Sequence, residues 1–249
     1  MRFNLSTAIV VVLPWIFSCG DMNSASENTG QGGSLARFAI SSNYLYVATN
    51  SMIGVYNISE NKFSHVNDIP VTFGLETITA RDPYLYLGAQ DAMYIYSIAN
   101  PSSPEFVFRY THIVSCDPVV VQGNRAYVTL RNSENICARG VNTLEIIDIT
   151  NPNNPTLIAQ HAMTSPGGLA IDGECLFVCE GTHGLKMFNV ANDQVQLLNE
   201  LNSVNAYDVI ARNGRLILTG NDGVFQYNYQ CNTPELELIS KIPVQREIH

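Results

Sequence analysis

Three carboxylates stand where an apolar run begins. Glu76 opens "ETITA", Asp117 precedes "PVVVQ", and Asp208 precedes "VIAR". Gathered around one axis, such a set offers distinct chemistries. One acid and one base or nucleophile flanking a sugar hydrolyse a glycosidic bond. A hard cation such as Ca²⁺ takes oxygen ligands. Acids at strand ends also cap turns or sit solvated at a rim. Beside them, Glu180 and His183 in "CEGTHG" and Tyr207 next to Asp208 are candidates to meet a ligand. An exposed tyrosine ring can stack on a sugar, and an imidazole titrates near neutral pH. His112, His161, His183 and His249 show no metal-ligand spacing. There is no nucleophile elbow and no zinc helix. "GGLAIDG" at Gly167 lacks the strand–turn–helix context of a phosphate loop. No cofactor and no metal are therefore expected.

The elements that must position these residues are short strands. A pentapeptide recurs as "NYLYV" at Asn43, "PYLYL" at Pro83, "NRAYV" at Asn124, "ECLFV" at Glu174 and "GRLIL" at Gly214, at intervals of 40, 41, 50 and 40 residues. The longest interval carries the insertion "RNSENICARGVN". Each unit holds four apolar runs with period-two alternation and many β-branched and aromatic residues, the pattern of strands. "ISSN", "ARDP", "VQGN", "IDGE" and "ARNG" separate the first run from the second, and Asn, Asp and Gly there accept the positive φ of tight turns. Four antiparallel strands repeated at about 40 residues read as a propeller blade. One twisted sheet cannot bury both faces alone, whereas radial stacking covers each blade with its neighbour. The expectation is an all-β chain forming a single five-bladed β-propeller of four-stranded antiparallel blades. Tyr44, Tyr46, Tyr84, Tyr86 and Tyr127 lie in second strands and are expected to pack between blades. Nothing marks strand exchange, so closure is expected from packing of the first unit on the fifth.

"LEIIDITNPNNPTLIAQ", with "VVVQGNRAYV" upstream, resembles the LVIVD repeat of bacterial and archaeal surface propellers, and "MYIYSIANPSSPEFV" resembles it also. The other units keep the strand pattern but lose the Asp-turn-Pro core. The resemblance implies a surface-associated propeller and carries no set of catalytic residues. In arrangement only, Glu76, Asp117 and Asp208 resemble the acids of five-bladed glycosidases.

The N-terminus reads "MRFNLSTAIVVVLPWIFSCG". A basic residue, a short apolar core and the end Ile16-Phe17-Ser18-Cys19 resemble a bacterial lipoprotein signal, which implies acylation of Cys19 and attachment to an envelope membrane. Gly20 in the next position favours passage to an outer membrane in a Gram-negative host. Residues 1–18 are thus expected to be a signal peptide, 19–33 a polar tether reaching about 20 Å, and 34–249 the propeller. The formal net charge of −9, without a basic run, argues against nucleic acid. The partners expected are the membrane and an unknown protein or glycan. An oxidising compartment permits disulfides. Blade topology brings Cys116 near Cys137 on the upper face and Cys175 near Cys231 on the lower face, so these pairs are the possible disulfides, with Cys179 left as a buried thiol; the alternative is five unpaired, mostly buried cysteines. The function expected is a membrane-anchored binding or scaffold module. The alternative is a glycan-directed hydrolase using the three acids.

Overall fold

The computed structural model describes residues 32–59, 62–71, 74–111, 118–132 and 141–244. The signal segment, Cys19, His112, Cys116, Asp117, Cys137 and His249 lie outside the described residues.

Among the described residues twenty strands form five four-stranded antiparallel sheets, each in sequence order. Blade one contains β1 (Phe38–Ser41), β2 (Tyr44–Ala48), β3 (Met52–Asn57) and β4 (Ser64–Pro70). Blade two contains β5 (Leu75–Arg81), β6 (Tyr84–Ala89), β7 (Ala92–Ser97) and β8 (Glu105–Thr111). Blade three contains β9 (Val119–Gln122), β10 (Arg125–Leu130), β11 (Thr143–Asp148) and β12 (Thr156–Ala162). Blade four contains β13 (Leu169–Asp172), β14 (Cys175–Cys179), β15 (Leu185–Asn189) and β16 (Gln196–Leu201). Blade five contains β17 (Ala206–Arg212), β18 (Arg215–Gly220), β19 (Gly223–Tyr229) and β20 (Leu236–Pro243). The first strands line a central cavity. We call the face with the strand 2–3 loops and the blade-to-blade links the upper face, and the opposite one the lower face.

Local chemistry repeats with the blades. Ser42, Gly123, Gly173 and Asn213 take positive φ in the turn between first and second strands, which closes a tight hairpin with the right-handed twist of its strands. At the end of the third strand a side-chain oxygen accepts a backbone amide two residues on. Asn57 accepts from Ser59, Ser97 from Ala99, Asp148 from Thr150 and Asn189 from Ala191. The Asp of the "IIDIT" run is therefore a turn cap that directs the chain into the outermost strand. All five blades also shift register at one place between third and fourth strands, a bulge that adds twist to the outer edge.

Packing lies between blades. Tyr46, Tyr86, Tyr127 and Phe177 occupy one position, the fourth residue of the repeated pentapeptide, and each is buried against the next blade. Tyr46 also donates its hydroxyl to Pro101 O at 2.9 Å. Four apolar clusters fill the four successive interfaces. Cys175 at the start of β14 and Cys231 after β19 form a disulfide across the fourth of them, with Cα atoms 5.0 Å apart. Cys179 is a buried free thiol in the same cluster, and burial raises its pKa.

The seam between blades five and one differs from the expected closure. Among the described residues no buried apolar cluster joins these two blades. Phe38 on blade one is 51% exposed and Ile217 on blade five is 40% exposed. The reason is readable in the side chains. Ile217 stands where the other blades have Tyr or Phe, and Arg215 and Thr219 flank it on the same face of β18. Blade five lacks the aromatic volume that fills each interior interface. Terminal repeats of stacked architectures commonly end on such a more polar face.

A polar contact also joins blades at the lower face. The Arg125 guanidinium contacts both carboxylate oxygens of Asp193 in the next blade, at 2.6 and 2.9 Å. The bond to Arg125 holds the Asp193 carboxyl below its ordinary range. A depressed carboxylate stabilises the fold above its unfolded pKa and loses that contribution as pH falls through its folded pKa. Arg125→Ala is therefore expected to cost up to about 1 kcal/mol at neutral pH, and less at acid pH as the depressed Asp193 carboxyl protonates. Parallel denaturation curves at the two pH values check this. An unchanged deficit in acid would assign the loss to packing of the arginine stem.

Candidate functional site

The upper-face acids are held by the protein itself. Asp208, near the start of β17, accepts a hydrogen bond from Ser34 Oγ at 3.2 Å, and Ser34 Oγ in turn accepts one from the Leu169 amide at 2.7 Å. Amides of Val209, Leu35 and Ser34 also bond the Asp208 carboxylate. Burial nevertheless raises its pKa above the ordinary value, with those bonds opposing the shift. The approach is close enough to require glycine. A Cβ on Gly33 or Gly168 would lie 2.0 or 2.3 Å from an Asp208 carboxylate oxygen. The segment from Gly32 to Ala36 thus crosses the upper mouth of the cavity, and Ala36 O accepts the Ile78 amide at 3.1 Å. Asp208 works as a clamp on the start of the domain.

Glu76 lies in β5 and accepts from Gln90 Nε2 at 3.4 Å. Asp117, the third acid of the set, lies outside the described residues. Among the described residues no group of three or more His, Cys, Asp or Glu side chains converges to hold a metal ion.

Glu180 and His183 do come together, whereas Tyr207 stands apart, 46% exposed on β17. A cavity of about 300 Å³ on the upper rim of blade four is lined by Thr164, Glu180, His183, Lys186 and Glu200 among others. Glu180 is fully buried. Its Oε1 accepts the amides of Thr164 and Ser165, at 2.7 and 3.3 Å, and its Oε2 pairs with Lys186 Nζ at 2.8 Å. Lys186 also lies 3.7 Å from Glu200 Oε1. His183 is fixed through its backbone, its amide donating to Glu180 O at 2.9 Å. Burying a charge is tolerable only with such pairing. The arrangement pins the link between blades three and four and leaves a polar depression beside it.

Sequence reasoning missed Lys186 and Ser34. Lys186 lies directly across from Glu200 in the β15–β16 register, so a charged pair at strand spacing was the available signal. Ser34 meets Asp208 across 174 residues, and no local pattern reveals such a contact.

The central cavity, about 470 Å³, is enclosed by all five first strands. Within its sheet each first strand pairs on one side only; apart from Ala206 and Tyr207 of β17, bonded to Gly181 and Gly168, and Ile78 of β5, bonded to Ala36, the other edge presents backbone N–H and C=O groups toward the cavity.

A sequence profile of the LVIVD repeat matches residues 32–59, 76–112 and 115–162, which cover the first three units. No curated protein matches. Among solved structures, the Pseudomonas aeruginosa periplasmic gluconolactonase PpgL is 15% identical with a TM-score of 0.61, over 81% of this chain and 68% of that one. A putative 6-phosphogluconolactonase from Bacteroides fragilis is 13% identical with a TM-score of 0.67, over 83% and 69%. The computationally designed Ika8 protein is 14% identical with a TM-score of 0.60, over 80% of this chain and 59% of that one. This chain thus spans about three fifths of the designed protein. Likeness at these identities speaks to the fold alone.

Proposed function

We propose that this chain, which carries LVIVD repeats in its first three units and folds as a β-propeller, is a non-catalytic binding module, held on a bacterial envelope membrane by lipid on Cys19. The observation that carries the reading is the state of the acids. Asp208 clamps Ser34 and Leu35, Glu76 accepts from Gln90, and Glu180 is paired with Lys186 and two amides. A glycosidase needs one carboxyl to give a proton and another to attack or activate water on the sugar. Carboxylates already bonded to their own fold serve that chemistry poorly. One observation favours the hydrolase instead. The raised pKa of Asp208 suits a general acid, but Asp208 would have to release the Gly33–Leu35 segment to meet a substrate. The names of the lactonase-like structures do not shift the balance, because a propeller hosts many chemistries.

Among the described residues no helix is long and apolar enough to cross a membrane. Cys19→Ser expressed in a bacterial host is expected to leave the membrane fraction or to accumulate with its signal attached, with the mass of an acyl group lost. Unchanged fractionation and mass would overturn the anchoring.

A further inference from the structure

The lower mouth of the central cavity holds two arginines that the fold does not neutralise. The last residue of the first strand has the same place in every blade: Ser41, Arg81, Gln122, Asp172 and Arg212. In three blades this side chain bonds to the following blade. Ser41 Oγ donates to Asp82. Gln122 donates to Gly173 O at 2.7 Å and accepts from the Gly173 amide at 2.9 Å. Asp172 accepts from the Gly214 amide at 3.3 Å and from the Tyr229 hydroxyl at 2.5 Å. Arg81 and Arg212 make no such bond. Both line the cavity, and among the described residues neither forms an ion pair. Asp172 is the acid among the residues that line the cavity, and its carboxylate is already held, as is that of Asp82, which accepts from Ser41 Oγ in the turn beside Arg81. The lining of this mouth thus carries two guanidinium groups against one carboxylate, in a chain of net charge −9.

The cavity behind it suits a small molecule. Its volume, about 470 Å³, falls in the range of small-ligand sites. Gly32, Gly33 and Ala36 roof its upper end, so a ligand enters from below, past the arginines. The first-strand edges supply backbone donors and acceptors along the wall. Guanidinium groups favour carboxylate and phosphate oxygens through charge-assisted hydrogen bonds.

We propose that the central cavity binds a small hydroxylated organic anion, its carboxylate or phosphate paired with Arg81 and Arg212 and its hydroxyls bonded to the edge-strand backbone. The site deepens the binding-module reading and rests on it. Three probes separate its parts: gluconate for a carboxylate, glucose 6-phosphate for a phosphate, and sorbitol as the neutral counterpart. Titration calorimetry of the disulfide-intact chain at low salt is expected to show saturable binding of one or both anions, weakened by added salt, and none of sorbitol. The double variant Arg81→Gln/Arg212→Gln, its fold checked by circular dichroism, is expected to bind at least about tenfold more weakly. Lys241→Gln, on the exposed outer strand, is expected to bind as the parent does. As a second readout, the side-chain amide signals of Gln122 and Asn213 shift in NMR spectra as the anion is added. Equal binding of sorbitol would overturn the anionic class. Anion binding unchanged in the double variant, with still Gln122 and Asn213 signals, would overturn the site. Absence of binding by either anion at millimolar concentration would overturn the inference alone, since the module reading is tested separately by anchoring at Cys19 and by the chemical fate of its ligand.

Discussion

Phe177→Ala is expected to lower the free energy of unfolding by about 3–5 kcal/mol. Phe177 is fully buried and meets Tyr229 of the next blade edge to face, with ring centroids 4.7 Å apart. Truncation removes the ring's transfer free energy and leaves a cavity that the two sheets cannot fully close, because adjacent backbones fix their spacing. The location adds to the effect. Blade five packs on blade four through this cluster and has no buried apolar contact with blade one among the described residues. Weakening the interface should therefore release blade five before the rest. Hydrogen exchange reads this directly, as faster exchange of amides in β18 and β19 than in β6 and β10. Chemical denaturation gives the total. Phe177→Leu, which keeps most of the volume, is expected to lose less than half as much. A loss under about 1 kcal/mol for the alanine variant would show that this interface does not hold blade five.

Removing the Cys175–Cys231 bond is the second large effect. Its half-cystines are 56 residues apart in sequence, and closing a loop of that length restricts the unfolded chain by about 4 kcal/mol. The bond ties the start of β14 to the chain just beyond β19, so it reinforces the same blade four–five contact. Cys175 and Phe177 lie on one face of β14 and share a cluster, which makes their losses non-additive. The variant Cys175→Ala/Cys231→Ala is expected to unfold at clearly lower denaturant, with blade five opening first. Combined with Phe177→Ala, it should lose less than the sum of the separate losses. Identical denaturation midpoints for the oxidised and reduced parent would contradict the assignment.

The fold was legible because its signals are local and repeated. Alternation such as Leu85 and Leu87 against Tyr84 and Tyr86 marks a strand, and the pentapeptide spacing marks the blade. The Cys175–Cys231 pair followed from the same frame, since the start of a second strand and the 3–4 turn of the next blade share the lower face. The open seam was not legible from strand pattern, because Ile217 is as good a strand residue as Tyr127. Only its lack of aromatic volume separates it from its equivalents. Asp208 read as a rim acid because its partner Ser34 lies at the other end of the domain. Arg81 and Arg212 were visible in "ARDP" and "ARNG", but turn chemistry alone gives no sign that Ser41, Gln122 and Asp172 find partners where the arginines do not. Glu180 and His183 adjoin in the sequence and line one depression, whereas Lys186, which pairs with the buried Glu180, carries no local signal of that contact.

The central claim is that this propeller binds its ligand without transforming it, its acids serving as clamps. The most direct measurement is mass spectrometry of a saturably bound ligand, drawn from a panel of glycans and small organic anions and recovered after prolonged incubation with the parent and with Asp208→Asn. The account predicts ligand recovered chemically intact from both proteins. Recovery of a hydrolysed product from the parent, but not from Asp208→Asn, would contradict it.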